Sequence, residues 1–115
     1  MSEIRLLYIE NGTRDEPLVC SLRHHDLQDT SLRFEALSYR WGTEKSDSPL
    51  HCHGRGQRIQ LSLDSALRRL RLQDRTRILW VDAICISQDD DTEKEHQIQL
   101  MRQIYKQASR VLIWI

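Results

Sequence analysis

The sequence contains no run near the ~20 consecutive apolar residues that a membrane-spanning helix requires, so no helical span is expected. Its start, Met1-Ser2-Glu3-Ile4-Arg5, lacks the apolar stretch and small-residue cleavage site of a signal peptide. Cysteine is sparse and odd in number: Cys20, Cys52 and Cys85. Without an export signal, that set predicts reduced thiols in a cytosolic protein rather than a disulfide framework. No charge of one sign predominates, because 17 basic residues balance 17 acidic ones. A dedicated nucleic-acid binder carries a basic excess, so that class is excluded. Little self-repulsion opposes association, which implies modest solubility.

Several site chemistries are also missing. His51, Cys52 and His53 are adjacent, and Cys20 lies near His24 and His25, but neither set has the paired spacing of a structural zinc site. Asp89-Asp90-Asp91 lacks the Gly and distal Glu of a calcium loop. Gly54-Arg55-Gly56 lacks the third glycine and following helix of a dinucleotide fingerprint. No Ser-His-Asp or Cys-His arrangement can be argued. No resident metal or cofactor is therefore expected.

What remains is an ordinary globular chain. Its 115 residues are 39% apolar and 30% charged, enough for one domain around one core. Ile4-Arg5-Leu6-Leu7-Tyr8-Ile9 predicts a strand ended by the turn Asn11-Gly12, with Leu18-Val19-Cys20-Ser21-Leu22 as its partner. The polar stretch 23–33 reads as a loop. A second strand is expected over 34–41, closed by Gly42, with a surface loop over 42–49. Segments 50–53 and 57–61 should form a hairpin about Gly54-Arg55-Gly56.

Ser62 can cap a helix whose Leu63, Ala66, Leu67 and Leu70 make one apolar stripe, leaving Arg68, Arg69 and Arg71 outside it. The run 78–86 is apolar except for Asp82, as in a strand buried on both faces. After an acidic loop, Thr92 and Glu95 have capping-box spacing. The helix they open should carry Ile98, Met101, Ile104, Tyr105 and Ala108 on one face. Residues 110–115 read as a further buried strand. Helix, strand, helix, strand implies right-handed crossovers and a parallel core. The expected class is α/β: a central mixed, partly parallel sheet with flanking helices and N-terminal β-hairpins.

Three blocks carry a resemblance. Phe34-Glu35-Ala36-Leu37-Ser38-Tyr39-Arg40-Trp41-Gly42 is similar to the pattern Y-E-A-L-S-Y-x-W-G. Residues 59–71 are similar to I-x-V-x-x-N-L-x-x-A-L-x-x-L-R. Residues 79–114 are similar to L-W-I-D-A-I-C-I-N-Q-x-D-x-x-E-R-x-x-Q-V-x-x-M-x-x-I-Y-x-x-A-x-x-V-x-V-W. Together, in order and over about 80 residues, they resemble the heterokaryon-incompatibility (HET) domain family. Ser87, Asp64 and Lys94 depart from its Asn, Asn and Arg. Family members usually run on beyond the position of Ile115, so 1–115 is expected to be a single HET-like domain, truncated at its C-terminus relative to the family.

The resemblance implies a cytoplasmic module of fungal nonself recognition that triggers programmed cell death. Its expected partner is itself or a receptor-like protein. The family is distantly similar to Toll/interleukin-1 receptor domains, some of which cleave NAD with a glutamate. Two other readings follow: an NAD-cleaving hydrolase, with NAD as substrate, and an inactive fragment of a larger protein.

Ligands of open α/β sheets sit at the carboxyl ends of strands. Ser38, Arg40, Trp41, Ser87, Gln88 and Glu93 are expected to converge there. Glu93 is the candidate catalytic carboxylate, able to stabilise a cationic ribosyl transition state or act as general base. An acid in a first helical turn also has a purely local reason, the helix dipole. Trp41 could stack on a ligand and Arg40 grip a phosphate, although core packing and simple surface exposure account for the same residue types. Asp82 is expected to be buried and partnered by a group from 38–40, with Asp82→Ala costing on the order of 3–5 kcal/mol. Asp82, Tyr39 and Gly42 are read as structural.

Overall fold

A computed structural model describes residues 3–13, 15–39, 50–52, 55–57, 59, 61–85 and 91–114. Seven strands among them form one sheet: β1 (Glu3–Ile9), β2 (Val19–Asp26), β3 (Glu35–Tyr39), β4 (Leu50–Cys52), β5 (Arg55–Gln57), β6 (Arg77–Val81) and β7 (Arg110–Trp114). Three helices interrupt them: α1 (Leu61–Leu70), α2 (Asp82–Cys85) and α3 (Asp91–Gln107). The strand order is β5-β4-β2-β1-β6-β3-β7. β3 runs parallel to both β6 and β7, while β1 is antiparallel to β2 and to β6. The expected α/β class with a mixed, partly parallel sheet is the observed one.

The N-terminal hairpin forms as its sequence requires. Apolar Ile4, Leu6, Leu7 and Ile9 are fully buried in β1. Its partner β2 is longer than expected and runs to Asp26 through residues read as loop. Arg23 stacks over the Tyr8 ring at 4.2 Å, and His25 lies parallel to that ring on the same strand. Such side-chain pairs let a polar strand hold its place at little cost in burial. The second hairpin pairs β4 with β5, so Gly56 lies within a strand rather than at the turn.

β6 is buried on both faces. Trp80 points one way and packs edge-on against Tyr105 of α3, with centroids 5.6 Å apart. Leu79 and Val81 point the other way and are equally buried. The strand nevertheless ends at Val81. The residues expected to extend it, Asp82 to Cys85, instead form the helical turn α2. An apolar run cannot distinguish a buried strand from a buried helical turn by periodicity. β7 is also a correction. It is an edge strand, and its Val111 and Ile113 are exposed.

The helix faces follow the apolar stripes with two shifts. α1 begins at Leu61, so Ser62 lies inside it rather than capping it, and α3 begins at Asp91, which puts Thr92 inside. Leu63, Ala66 and Leu67 are buried as expected. In α3 the inward face is Gln97, Leu100, Met101, Ile104 and Tyr105, continued by Ala108 just beyond the helix; Ile98 is 51% exposed. Gln97 has the helical spacing to Met101 and Ile104 that Ile98 only approximates.

Arg71, expected outside the apolar stripe, is only 7% exposed. Its guanidinium donates to the carbonyls of Pro17, Thr13 and Glu16. Arg68, which pairs with Asp64 in the same helix, donates to Glu16 as well. Gly12 lies so close that a Cβ there would stand 3.3 Å from the Arg71 Nη1. The loop between β1 and β2 is thus stitched to the end of α1. Thr13 donates its N–H and hydroxyl to the Glu16 carboxylate, which holds that carboxyl below its usual range. Burial, and the neighbouring Arg68 charge, pull Arg71 below its usual value. Arg71→Ala is expected to strand several carbonyls and lower stability by about 3 kcal/mol, measured by urea unfolding. A change under about 1 kcal/mol would show that water replaces the guanidinium without loss.

Candidate functional site

The parallel strands β3 and β6 are neighbours, with Leu37 aligned to Val81. Ser38 and Asp82 therefore follow one another's strand partners at the same carboxyl end of the sheet. Ser38 is half-buried and also aligned with Ile113 of β7, and Tyr39 with Trp114. Glu93 is the third residue of α3, inside its first turn. Tyr39, Asp82 and Glu93 are described by backbone alone. Arg40, Trp41, Gly42, Ser87 and Gln88 lie outside the described residues. Ser38 and the backbone of Asp82 thus lie at one sheet end, and Glu93 begins α3 beyond α2.

This end is held by groups that sequence reasoning missed. The Val81 N–H donates to the Cys85 thiol sulfur, 3.3 Å away. Cys85, expected as a buried hydrophobe in a strand, is fully buried but closes the α2 turn instead. Its carbonyl accepts from Arg5 Nε of β1 at 3.0 Å. Gln97 of α3, 5% exposed, donates from Nε2 to the Glu3 carbonyl at 2.9 Å. The Arg5 side chain and the Glu3 carbonyl of β1 therefore fasten both the turn after β6 and the helix carrying Glu93. A signal for Gln97 existed: it matches the Gln of the third sequence block and lies four residues before Met101. A signal for Arg5 was the single charge inside the apolar first strand.

Asp82 does not interrupt a strand. Its backbone opens α2, and an acidic residue type in a first helical turn complements the helix dipole.

At the opposite end of the same strands, Glu35 is the organising charge. Both its oxygens accept from Arg77, at 2.9 and 3.1 Å, and one also accepts from Arg110 at 3.1 Å. Arg77 also donates to the Leu70 carbonyl at the end of α1. Ser109 bonds the Phe34 carbonyl through both its N–H and its hydroxyl. These contacts border an open cleft of about 630 Å³ between the starts of β3, β6 and β7.

With this geometry in place, comparison with known proteins gives a consistent result. The model of the family "Heterokaryon incompatibility protein (HET)" matches residues 34–115. The chain belongs to the heterokaryon-incompatibility family. Among curated proteins it is similar to "Heterokaryon incompatibility protein 6, OR allele" of Neurospora crassa, 41% identical over 93 residues. That alignment covers 70% of this chain and 14% of the relative, so the chain spans a small part of the protein it matches. No solved structure matches. Among the described residues, no helix is long and apolar enough to cross a membrane.

Two measurements check the site's two ends. Glu35→Gln is expected to leave Arg77 without its carboxylate and cost about 3 kcal/mol in a denaturant melt; an unchanged midpoint would show the pair to be dispensable. Asp82→Ala is expected to cost about 1 kcal/mol, the loss of a carboxylate serving a helix start. A loss of about 3–5 kcal/mol would instead report the buried partner charge that the sequence suggested.

Proposed function

We propose that this chain is a cytoplasmic cell-death signalling module of fungal nonself recognition that acts by self-association or by joining a receptor-like protein. The observation that carries the reading is the family match over residues 34–115, reinforced by 41% identity to a Neurospora heterokaryon incompatibility protein. It needs no resident cofactor. The neighbouring carboxyl ends of β3 and β6 agree with a shared functional surface built from the first and third sequence blocks.

A second reading is favoured by one observation, the position of Glu93 in the first turn of α3, the long helix between β6 and β7. In it, the domain resembles Toll/interleukin-1 receptor domains in activity. Glu93 is the carboxylate acting on the ribosyl centre of NAD, Trp41 stacks on the ligand, and Arg40 grips its phosphates. Ser38, Ser87 and Gln88 line the same crevice. In a third reading, the chain keeps the motifs of a larger protein without activity of its own.

Expression in yeast separates these. The signalling reading expects loss of viability with NAD levels unchanged, and the same loss with Glu93→Ala. NAD depletion that disappears with Glu93→Ala would establish the enzymatic reading. Normal viability with a folded protein would support the inactive one.

A further inference from the structure

The starts of the three parallel strands gather an excess of arginine that the family's motif surface does not use. The cleft there is lined by Arg33, Arg75, Arg77 and Arg110 against one carboxylate, Glu35. This is not an overflow of general basicity, because the whole chain carries 17 basic and 17 acidic residues. The imbalance is local.

The four guanidiniums are engaged unequally. Arg77 is 15% exposed and held bidentately by Glu35, so it serves the fold. Arg110 shares the same carboxylate through one nitrogen and is 70% exposed. Arg75 is equally exposed, and its contact is with Asp74, 3.5 Å away and itself 75% exposed. A pair this open to water is weak. Arg33 is exposed and donates to the carbonyls of Thr30 and Leu32, which leave its charge uncompensated. Three arginines on three different segments thus face one cleft with charge to spare.

Beneath them the floor includes buried Phe34 and half-buried Ile78, which give the charges a low-dielectric backing. Arginine forks match phosphate oxygens in pairs and bind them more tightly when water is partly excluded. The cleft volume lies within the range of small-ligand sites.

We infer that this cleft binds a ligand bearing clustered phosphate groups, gripped by Arg33, Arg75 and Arg110 over the Arg77–Glu35 pair. It stands at the sheet end opposite to Ser38 and Asp82, so it is independent of the reading given to Glu93. A soluble phosphorylated metabolite and a phosphoinositide headgroup share this chemistry.

The test is calorimetric titration of the 115-residue chain with pyrophosphate at physiological ionic strength. Beside it, vesicles of phosphatidylcholine with and without phosphoinositide are co-sedimented with the protein. Saturable one-to-one pyrophosphate binding is expected. Arg75→Ala should weaken it about tenfold, and Arg110→Ala by a similar factor. A matched control, Arg69→Ala with Arg102→Ala, removes two exposed charges elsewhere and should leave affinity within about twofold. Arg75→Ala is decisive because that side chain supports nothing in the fold beyond its exposed contact. Sedimentation that requires the phosphoinositide and is lost in Arg75→Ala would support the inference with a lipid source. No saturable binding in either arm, or equal loss in the control, would overturn it.

Discussion

One carboxylate sets the register of the parallel sheet. Glu35 begins β3, where it is aligned with Leu79 of β6 and Arg110 of β7. Its two oxygens take the Arg77 fork and the Arg110 side chain, and Arg77 reaches on to the Leu70 carbonyl at the end of α1. Slipping β3 against β6 by one residue would break the bidentate contact, slipping β7 would break the Arg110 contact, and either would turn the slipped strand's side chains to the other face. The position of Ser38, and of the backbone at Asp82, follows from the alignment of Glu35 with Leu79, three residues earlier on each strand. A charge at one end of the strands therefore decides which groups emerge together at the other.

A second constraint lies outside the family-matched segment. β1 and β2 precede residue 34, yet β1 sits in the middle of the sheet between β2 and β6. It also supplies Arg5 and the Glu3 carbonyl, which fasten α2 and α3. Without β1 the apolar face of β6 would border an open edge, and the two attachments would have no counterpart. The region that carries the motifs is thus held in shape by a region that carries none.

Much of this was legible in the sequence, for identifiable reasons. Leu63, Ala66 and Leu67 announced their helix face because apolar side chains at that spacing have one way to hide. The first hairpin followed from a β-branched run ending in Asn11-Gly12. Asp82 to Cys85 misled because an apolar run fits a strand and a helical turn equally well. The burial of Arg71 was invisible because it depends on carbonyls of a loop 54 to 58 positions away. Polarity favours Ile98 over Gln97 for the inward face, whereas a side-chain amide with a backbone partner, as Gln97 has in the Glu3 carbonyl, can be buried. The Glu35–Arg77 pair joins residues 42 positions apart, beyond the reach of any local pattern. At the motif end, Ser38 could be followed to its strand position. The roles of Arg40, Trp41, Ser87, Gln88 and Glu93 rest on family resemblance, which reports residue types and order but not side-chain geometry.

The strand order also dictates a sequence of events during synthesis. β6 enters between β1 and β3, two strands that are not neighbours of each other. When a ribosome has released the first 40 residues, the hairpin of β1 and β2 can close, but one flank of β1 and both flanks of β3 await partners made later. Residues 77–81 fill the slot between them, and β7 completes the set last. Until then Leu6, Leu7, Ala36 and Leu37 remain uncovered on a nascent chain, with backbone groups available to any other nascent copy nearby. Long-range pairing of this kind is slow and prone to aggregation. Lower temperature, slower translation or chaperone cover should therefore raise the soluble yield of this domain more than stabilising its finished surface would.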